Sequence, residues 1–170
     1  MQTKTVKRIC NLLKKHTFQT SVDSREDKDS LCQELFRLME RLKTENSSEF
    51  SSHLFDGDLY CYTTFSFGVL KNISKRDSVY LCCSKEIDSF NPVCRCFDPY
   101  MFFYRFRTKN GSINIDVNSF LKEHRRQHEN EVIVALSDIT QVDELKMYRD
   151  FGEVKISGYH WKQNDEEKQG

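Results

Sequence analysis

The chain is short of the residues that break or stiffen a backbone: two prolines and six glycines in 170 residues. A long Pro/Gly linker is therefore excluded. There is no run of about 18 apolar residues, the length expected of a transmembrane helix. The N-terminus, MQTKTVKRICNLLKKH, has only a short apolar patch, not a signal-peptide core. Neither charge is in excess, because 26 basic and 26 acidic residues cancel. Bulk charge thus gives no argument for nucleic-acid binding, and any basic surface must be local. No G-x-S-x-G, Walker glycine loop, GxGxxG or H-E-x-x-H occurs, and the carboxylates form no recognisable pair. These absences point away from an enzyme and from a cofactor.

What is present is aromatic. The apolar share is 38%, but thirteen Phe and seven Tyr each bury a large area. The length suits one domain with a helical appendage. Seven cysteines (Cys10, Cys32, Cys61, Cys82, Cys83, Cys94, Cys96) are an odd number in a chain without a secretion signal. They read as reduced thiols, which places the protein in the cytoplasm or nucleus, with no membrane partner.

The best-defined stretch is YMFFYRFRTKNGSINIDV, 100–117. Asn110-Gly111 is the favoured pair for a two-residue type I′ turn. Pairing outward sets Arg107 opposite Asn114, Phe106 opposite Ile115 and Arg105 opposite Asp116. One face then carries Tyr104, Phe106, Thr108, Ile113, Ile115 and Val117; the other carries Arg105, Arg107, Asn114 and Asp116. A hairpin over 102–117 is expected.

Around it, Thr5–His16 and 25–45 read as helices. In the second, Leu31, Leu35, Leu38, Met39 and Leu42 recur at helical spacing, with Glu34 and Arg37 as an i,i+3 pair. Residues 46–57 read as a polar loop. From Leu59 the period becomes two, with Cys61, Thr63, Phe65, Phe67 and Val69 opposed to Tyr60, Tyr62, Thr64 and Ser66; a second strand holds Val79, Leu81 and Cys83. Residues 118–129 read as a short helix. Val132–Leu136 is an apolar run expected of a strand buried on both faces. Thr140–Asp150 reads as a helix, with Thr140 and Asp143 as a capping box and Gly152 as its stop, before a last strand through Val154, Ile156 and Gly158.

Three constellations bear on function. Cys94, Cys96, His124 and His128 are zinc-ligand types, the histidines at i,i+4, but the cysteines lack CxxC pairing. Core cysteines and a solvated helix explain them as well, and no metal is expected. Cys94 and Cys96 flank Arg95, which would lower a thiol pKa, yet no signature ties a histidine to them. The third is aromatic and basic interleaving: Phe103, Arg105 and Arg107 on the polar side of one strand, Tyr60 and Tyr62 on another, Lys71, Lys75 and Arg76 at a turn, and Trp161 near the end. Bases stack on aromatics while Lys and Arg hold phosphates. Aromatics in a sheet are more often core, and an arginine opposite an aspartate is an ordinary cross-strand pair.

Two resemblances follow. The element order over roughly 58–161 is similar to that of an OB barrel, which commonly binds single strands or partner subunits. Separately, VIVALSDITQVDELKMYRDFGEVKISGY resembles the opening strand–helix–strand of an RNA recognition motif. In that family the first strand carries a base-stacking aromatic; here Ile133 stands at the matching position, and no room remains after Gly158 for the rest. The resulting expectation is an α+β protein: a helical arm at 1–46, a mostly antiparallel OB-like sheet or barrel at 58–161, and a disordered tail at 162–170. Its expected role is a non-catalytic subunit of an intracellular complex that binds single-stranded DNA or RNA. The alternative is a protein-interaction module in which the stripe Leu31, Leu35, Leu38, Met39 and Leu42 docks a partner.

Overall fold

The computed structural model describes residues 2–15, 25–63, 65–75, 79–86, 102–121, 130–148 and 152–160; at 25–28, 62, 146–148 and 152–160 it describes the backbone alone. Two helices open the chain where the apolar spacing predicts them: α1 (Lys4–Lys15) and α2 (Arg25–Glu45). Val6, Ile9 and Leu13 of α1 meet Leu35, Leu38, Met39 and Leu42 of α2 in one buried cluster. Each such side chain contributes roughly 1.5–3 kcal/mol when fully buried. The Thr5 hydroxyl donates to Glu45 Oε2 at 2.8 Å and ties the helix ends together. The expected Glu34–Arg37 pair forms, at 2.6 Å. The stretch read as a polar loop contains a short helix, α3 (Ser47–Ser52), which the Asn46 side chain starts by accepting from the Glu49 N–H.

The remaining elements are β1 (Leu59–Thr63), α4 (Phe67–Ser74), β2 (Tyr80–Ser84), β3 (Phe102–Thr108), β4 (Ile115–Asp116), α5 (Val117–Phe120), β5 (Glu131–Ala135), a 3₁₀ turn (Leu136–Asp138), β6 (Ile139–Tyr148) and β7 (Gly152–His160). The seven strands form one sheet in the order β4-β5-β2-β1-β3-β6-β7, antiparallel throughout. Mixed α+β architecture and antiparallel pairing are thus as expected. A closed barrel is not: β4 and β7 are the two ends of an open sheet.

The sheet is nonetheless strongly curled. β5 and β6 lie on either side of β2-β1-β3, about 19 Å apart if the sheet were flat. The chain from Ala135 to Ile139 spans at most about 14 Å. Curling resolves this. The Leu136 N–H donates to the Val79 carbonyl and the Lys109 N–H to the Asp138 carbonyl, each at 2.9 Å, so the 3₁₀ turn bridges the two sides of the curl.

The curl creates two cores. Inside it lie Leu59, Cys61, Cys83, Tyr104, Phe106, Val132, Val134 and Val142, with Leu70 of α4. Outside it, α1 and α2 cover Ile115 and Ile133, with Tyr80 and Cys82 packed against them. β5 alternates between the two cores, so its unbroken apolar run is that of a strand buried on both faces.

Three expectations are corrected. The strand begun at Leu59 ends at Thr63. Ser66 then caps α4 by accepting from the Val69 N–H, and Leu70 is buried one turn in; a short apolar run satisfies both periods. The hairpin 102–117 does not form. β3 pairs with β1 and β6, and β4 pairs with β5 at the far edge. The chain does turn at Asn110-Gly111, but among these residues positive φ is confined to Gly111 (+83°), and Ser112 N–H donates to the Lys109 carbonyl. Positive φ at the third position alone is the type II pattern; type I′ needs it at both central residues. The physical reason is burial. Tyr104 and Phe106 enter the inner core, whereas Ile113, Ile115 and Val117 enter the helix-side core. Residues 140–148 are strand β6, not a helix, which overturns the likeness to an RNA recognition motif. Thr140 gives its hydroxyl proton to the Arg107 carbonyl and Asp143 meets Arg105, so the supposed capping box is two cross-strand contacts. Gly152 accordingly opens β7. Of the helix expected from 118 to 129, the described part holds α5 (Val117–Phe120). Residues 122–129, the loop from 88 and the tail at 162–170 lie outside the described residues. Among the described residues no helix is long and apolar enough to cross a membrane.

Candidate nucleic-acid interface

The outward face of β1, β3 and β6 gathers much of the predicted site. The register sets Tyr60 opposite Arg105 and Tyr62 opposite Phe103, and across the next ladder sets Arg105 opposite Asp143 and Arg107 opposite Gln141. Tyr104 and Phe106 turn inward, so Phe103, Arg105 and Arg107 must turn outward. Tyr60 and Phe103 are half-buried; Arg107 is exposed.

The two arginines are electrostatically different. Arg105 reaches Asp143 Oδ2 through Nε at 3.2 Å and Nη2 at 3.1 Å, and the Gln141 amide donates to both carboxylate oxygens at 3.3 and 3.4 Å. The Asp143 side chain is 2% exposed and that of Arg105 18%. A carboxylate so far out of water is tolerable only when paired, so Arg105 answers a local demand before any ligand arrives. Arg107 donates to Asp58 Oδ1 at 2.8 Å in an exposed pair that salt screens. Both arginines were expected to face Asp116 and Asn114. Instead Asp116 takes Lys85 at 2.7 Å, and the Asn114 amide donates to Thr108 Oγ1 at 2.8 Å.

Lys71 and Lys75 are exposed at the end of α4 and make no ion pair among the described residues. Arg76 and Trp161 lie outside the described residues, as do the zinc-type residues Cys94, Cys96, His124 and His128. Among the described residues no three His, Cys, Asp or Glu side chains are grouped to hold a metal. The partner-docking stripe is placed differently from expectation. Leu35, Leu38, Met39 and Leu42 are 0–1% exposed in the helix-side core, and Leu31 packs half-buried against it. The sheet and α1 already occupy that face.

Asp143 and Asp58 escaped the sequence reading. The β-branched run Ile139-Thr140-x-Val142 was the available signal that Asp143 sits on a strand facing Arg105. A second polar cluster also went unseen. His53 is stacked on Phe120 (centroids 3.7 Å apart), with Nδ1 2.7 Å from Ser119 Oγ and Nε2 3.0 Å from Glu49 Oε1. The order hydroxyl, imidazole, carboxylate is that of a nucleophile relay. Here the Ser119 hydroxyl also lies 2.6 Å from the Asp116 carbonyl, and the His53 carbonyl accepts from the Asp116 N–H at 3.0 Å. The cluster latches α3 to the β4–α5 corner. Comparison with known proteins finds no matching family model, no matching curated protein and no matching solved structure.

Proposed function

We propose that this chain is a non-catalytic subunit of a nuclear or cytoplasmic complex that binds single-stranded DNA or RNA on the outward face of β1 and β3. The carrying observation is the register that sets Tyr60 and Phe103 on neighbouring strands with Arg105 and Arg107 on the same face. Aromatic faces accept any base, at about 1–3 kcal/mol each, and cations track the phosphates. A curled antiparallel sheet used in this way is OB-like in its manner of binding. Lys71 and Lys75 add cations that make no ion pair among the described residues.

The test is fluorescence anisotropy with a labelled single strand across a salt series. Wild type is expected to bind at low salt and to lose affinity as salt rises. Arg107→Glu and the Lys71→Glu/Lys75→Glu pair should flatten that slope while leaving the melt nearly unchanged. Tyr60→Ala and Phe103→Ala should weaken binding at every salt concentration. Arg105→Glu is a poor probe, because it sets a second carboxylate beside buried Asp143. Absence of binding at low salt overturns the proposal.

A second reading is favoured by the Arg105–Asp143 pair, which neutralises the middle of this face. It is a protein-docking module that uses the same face with no nucleic acid. An interaction with a protein subunit that is insensitive to nuclease and lost in Phe103→Ala supports it.

A further inference from the structure

Cys61 and Cys83 are brought together by the sheet and play no part in the outward face. Tyr60 of β1 pairs with Ser84 of β2. An antiparallel ladder runs in opposite directions along its two strands, so the next rung sets Cys61 across from Cys83. Both are buried in the inner core, 4% and 3% exposed, and the Cys61 thiol donates to the carbonyl of Cys82, the residue before Cys83, at 3.9 Å. Cys82, the adjacent residue, packs on the helix side instead, with its thiol 2.8 Å from Glu131 Oε1. Opposed residues of an antiparallel pair have Cα atoms about 4.5 or 5.5 Å apart, and disulfides accept about 4.4–6.8 Å. The spacing of such a ladder is that of a cross-strand disulfide.

We propose that Cys61 and Cys83 are a site of reversible oxidation, a dithiol that closes into a cross-strand disulfide by exchange with a small-molecule disulfide such as oxidised glutathione. The thiolate of one cysteine attacks a glutathione sulfur, giving a mixed disulfide and one released glutathione. The second cysteine, also as thiolate, attacks the protein sulfur of that mixed disulfide and releases the second glutathione. The protein loses two electrons and two protons, and one oxidised glutathione becomes two reduced ones.

The neighbouring Cys61 thiol and burial both hold the Cys83 thiol well above its ordinary range, so the Cys83 thiolate is scarce in the closed fold. Exchange therefore waits on local opening. The connection between the two strands supplies a route: α4 has Leu70 as its one buried residue and exposes Val69. Elements with so few buried contacts open at lower free energy than the whole fold.

The test uses the full-length protein with oxidised glutathione, with and without urea below the unfolding transition. Acid quenching, alkylation and peptide mapping by mass spectrometry follow. The expected product joins Cys61 to Cys83, forms faster in urea, is reversed by dithiothreitol, persists in Cys82→Ser and is absent in Cys61→Ser. The oxidised protein should melt about 6–12 °C higher, as a disulfide across a loop of this size stabilises a chain of this length. Cys61 joined to any other cysteine, a lasting glutathione adduct, or both thiols recovered free after incubation in urea overturns the proposal. The wild-type map decides the matter even if Cys61→Ser does not fold.

Discussion

Strand β5 has a different core on each side. Val132 and Val134 face the interior of the curl, whose largest members are Tyr104 and Phe106 on β3, a strand far away in sequence. Ile133 faces a layer built mostly of aliphatic side chains from two consecutive helices. The helix-side core is largely local: α1 and α2 follow one another, and their stripes meet by simple antiparallel packing. The inner core is assembled from strands whose order in the sheet departs from their order in the chain. The first kind of core follows from periodicity. The second exists only once pairing is settled. Since β5 belongs to both, the two should fail together.

The largest effect should come from paired truncations. Phe106→Ala in the inner core is expected to cost about 3–5 kcal/mol, and Met39→Ala in the helix-side core about 2–5 kcal/mol. Chemical denaturation followed by both far-UV and aromatic signals should give one coincident transition for each variant. Two separated transitions in Met39→Ala would show that the helical layer melts from the sheet independently.

Next in size is the pair that lies outside the inner core, on the other face of the same strands. Asp143→Ala removes the buried carboxylate that Arg105 meets, in a pair whose side chains are 18% and 2% exposed, and removing one partner of a buried pair costs about 3 kcal/mol or somewhat more. Asp58→Ala removes the exposed partner of Arg107 and should cost no more than about 1 kcal/mol. Equal losses in the two melts would contradict the contrast in burial.

A smaller change sharpens the helical side. Asn46→Ala removes the cap of α3 and should cost about 1 kcal/mol, without altering the inner core's aromatic signal.

The smallest effect is one of pH. The hydrogen bond from Thr5, and then Arg41, hold the Glu45 carboxyl below its ordinary value of 4.5. A carboxyl depressed in the folded state stabilises fully above its unfolded pKa, and that contribution disappears as pH falls through the folded value. Thr5→Val should therefore lower the melting temperature slightly at pH 7, and the difference from wild type should vanish in acid below the depressed pKa. A difference that persists there would assign the loss to packing instead.

Much of this was written in the sequence. The stripes of α1 and α2, the alternation within 102–108 and 113–117, the double-sided burial of β5 and the chain reversal at Gly111 each follow from residue spacing and the steric freedom of one glycine. What alternation cannot state is the partner. Ile113 and Phe106 are equally apolar, and nothing local says that one belongs with the helices and the other inside the curl. The same limit hid Asp143, whose segment satisfied a helical pattern until β3 offered it a ladder and a cation. Arg105 and Arg107 were legible as outward-facing. Only tertiary structure decided that one would be held by a buried carboxylate and the other by an exposed one, because burial is a property of what packs above a residue. The thiol pair is the same lesson: Cys82 and Cys83 are neighbours in sequence, and only the register of β1 against β2 chooses which of them meets Cys61.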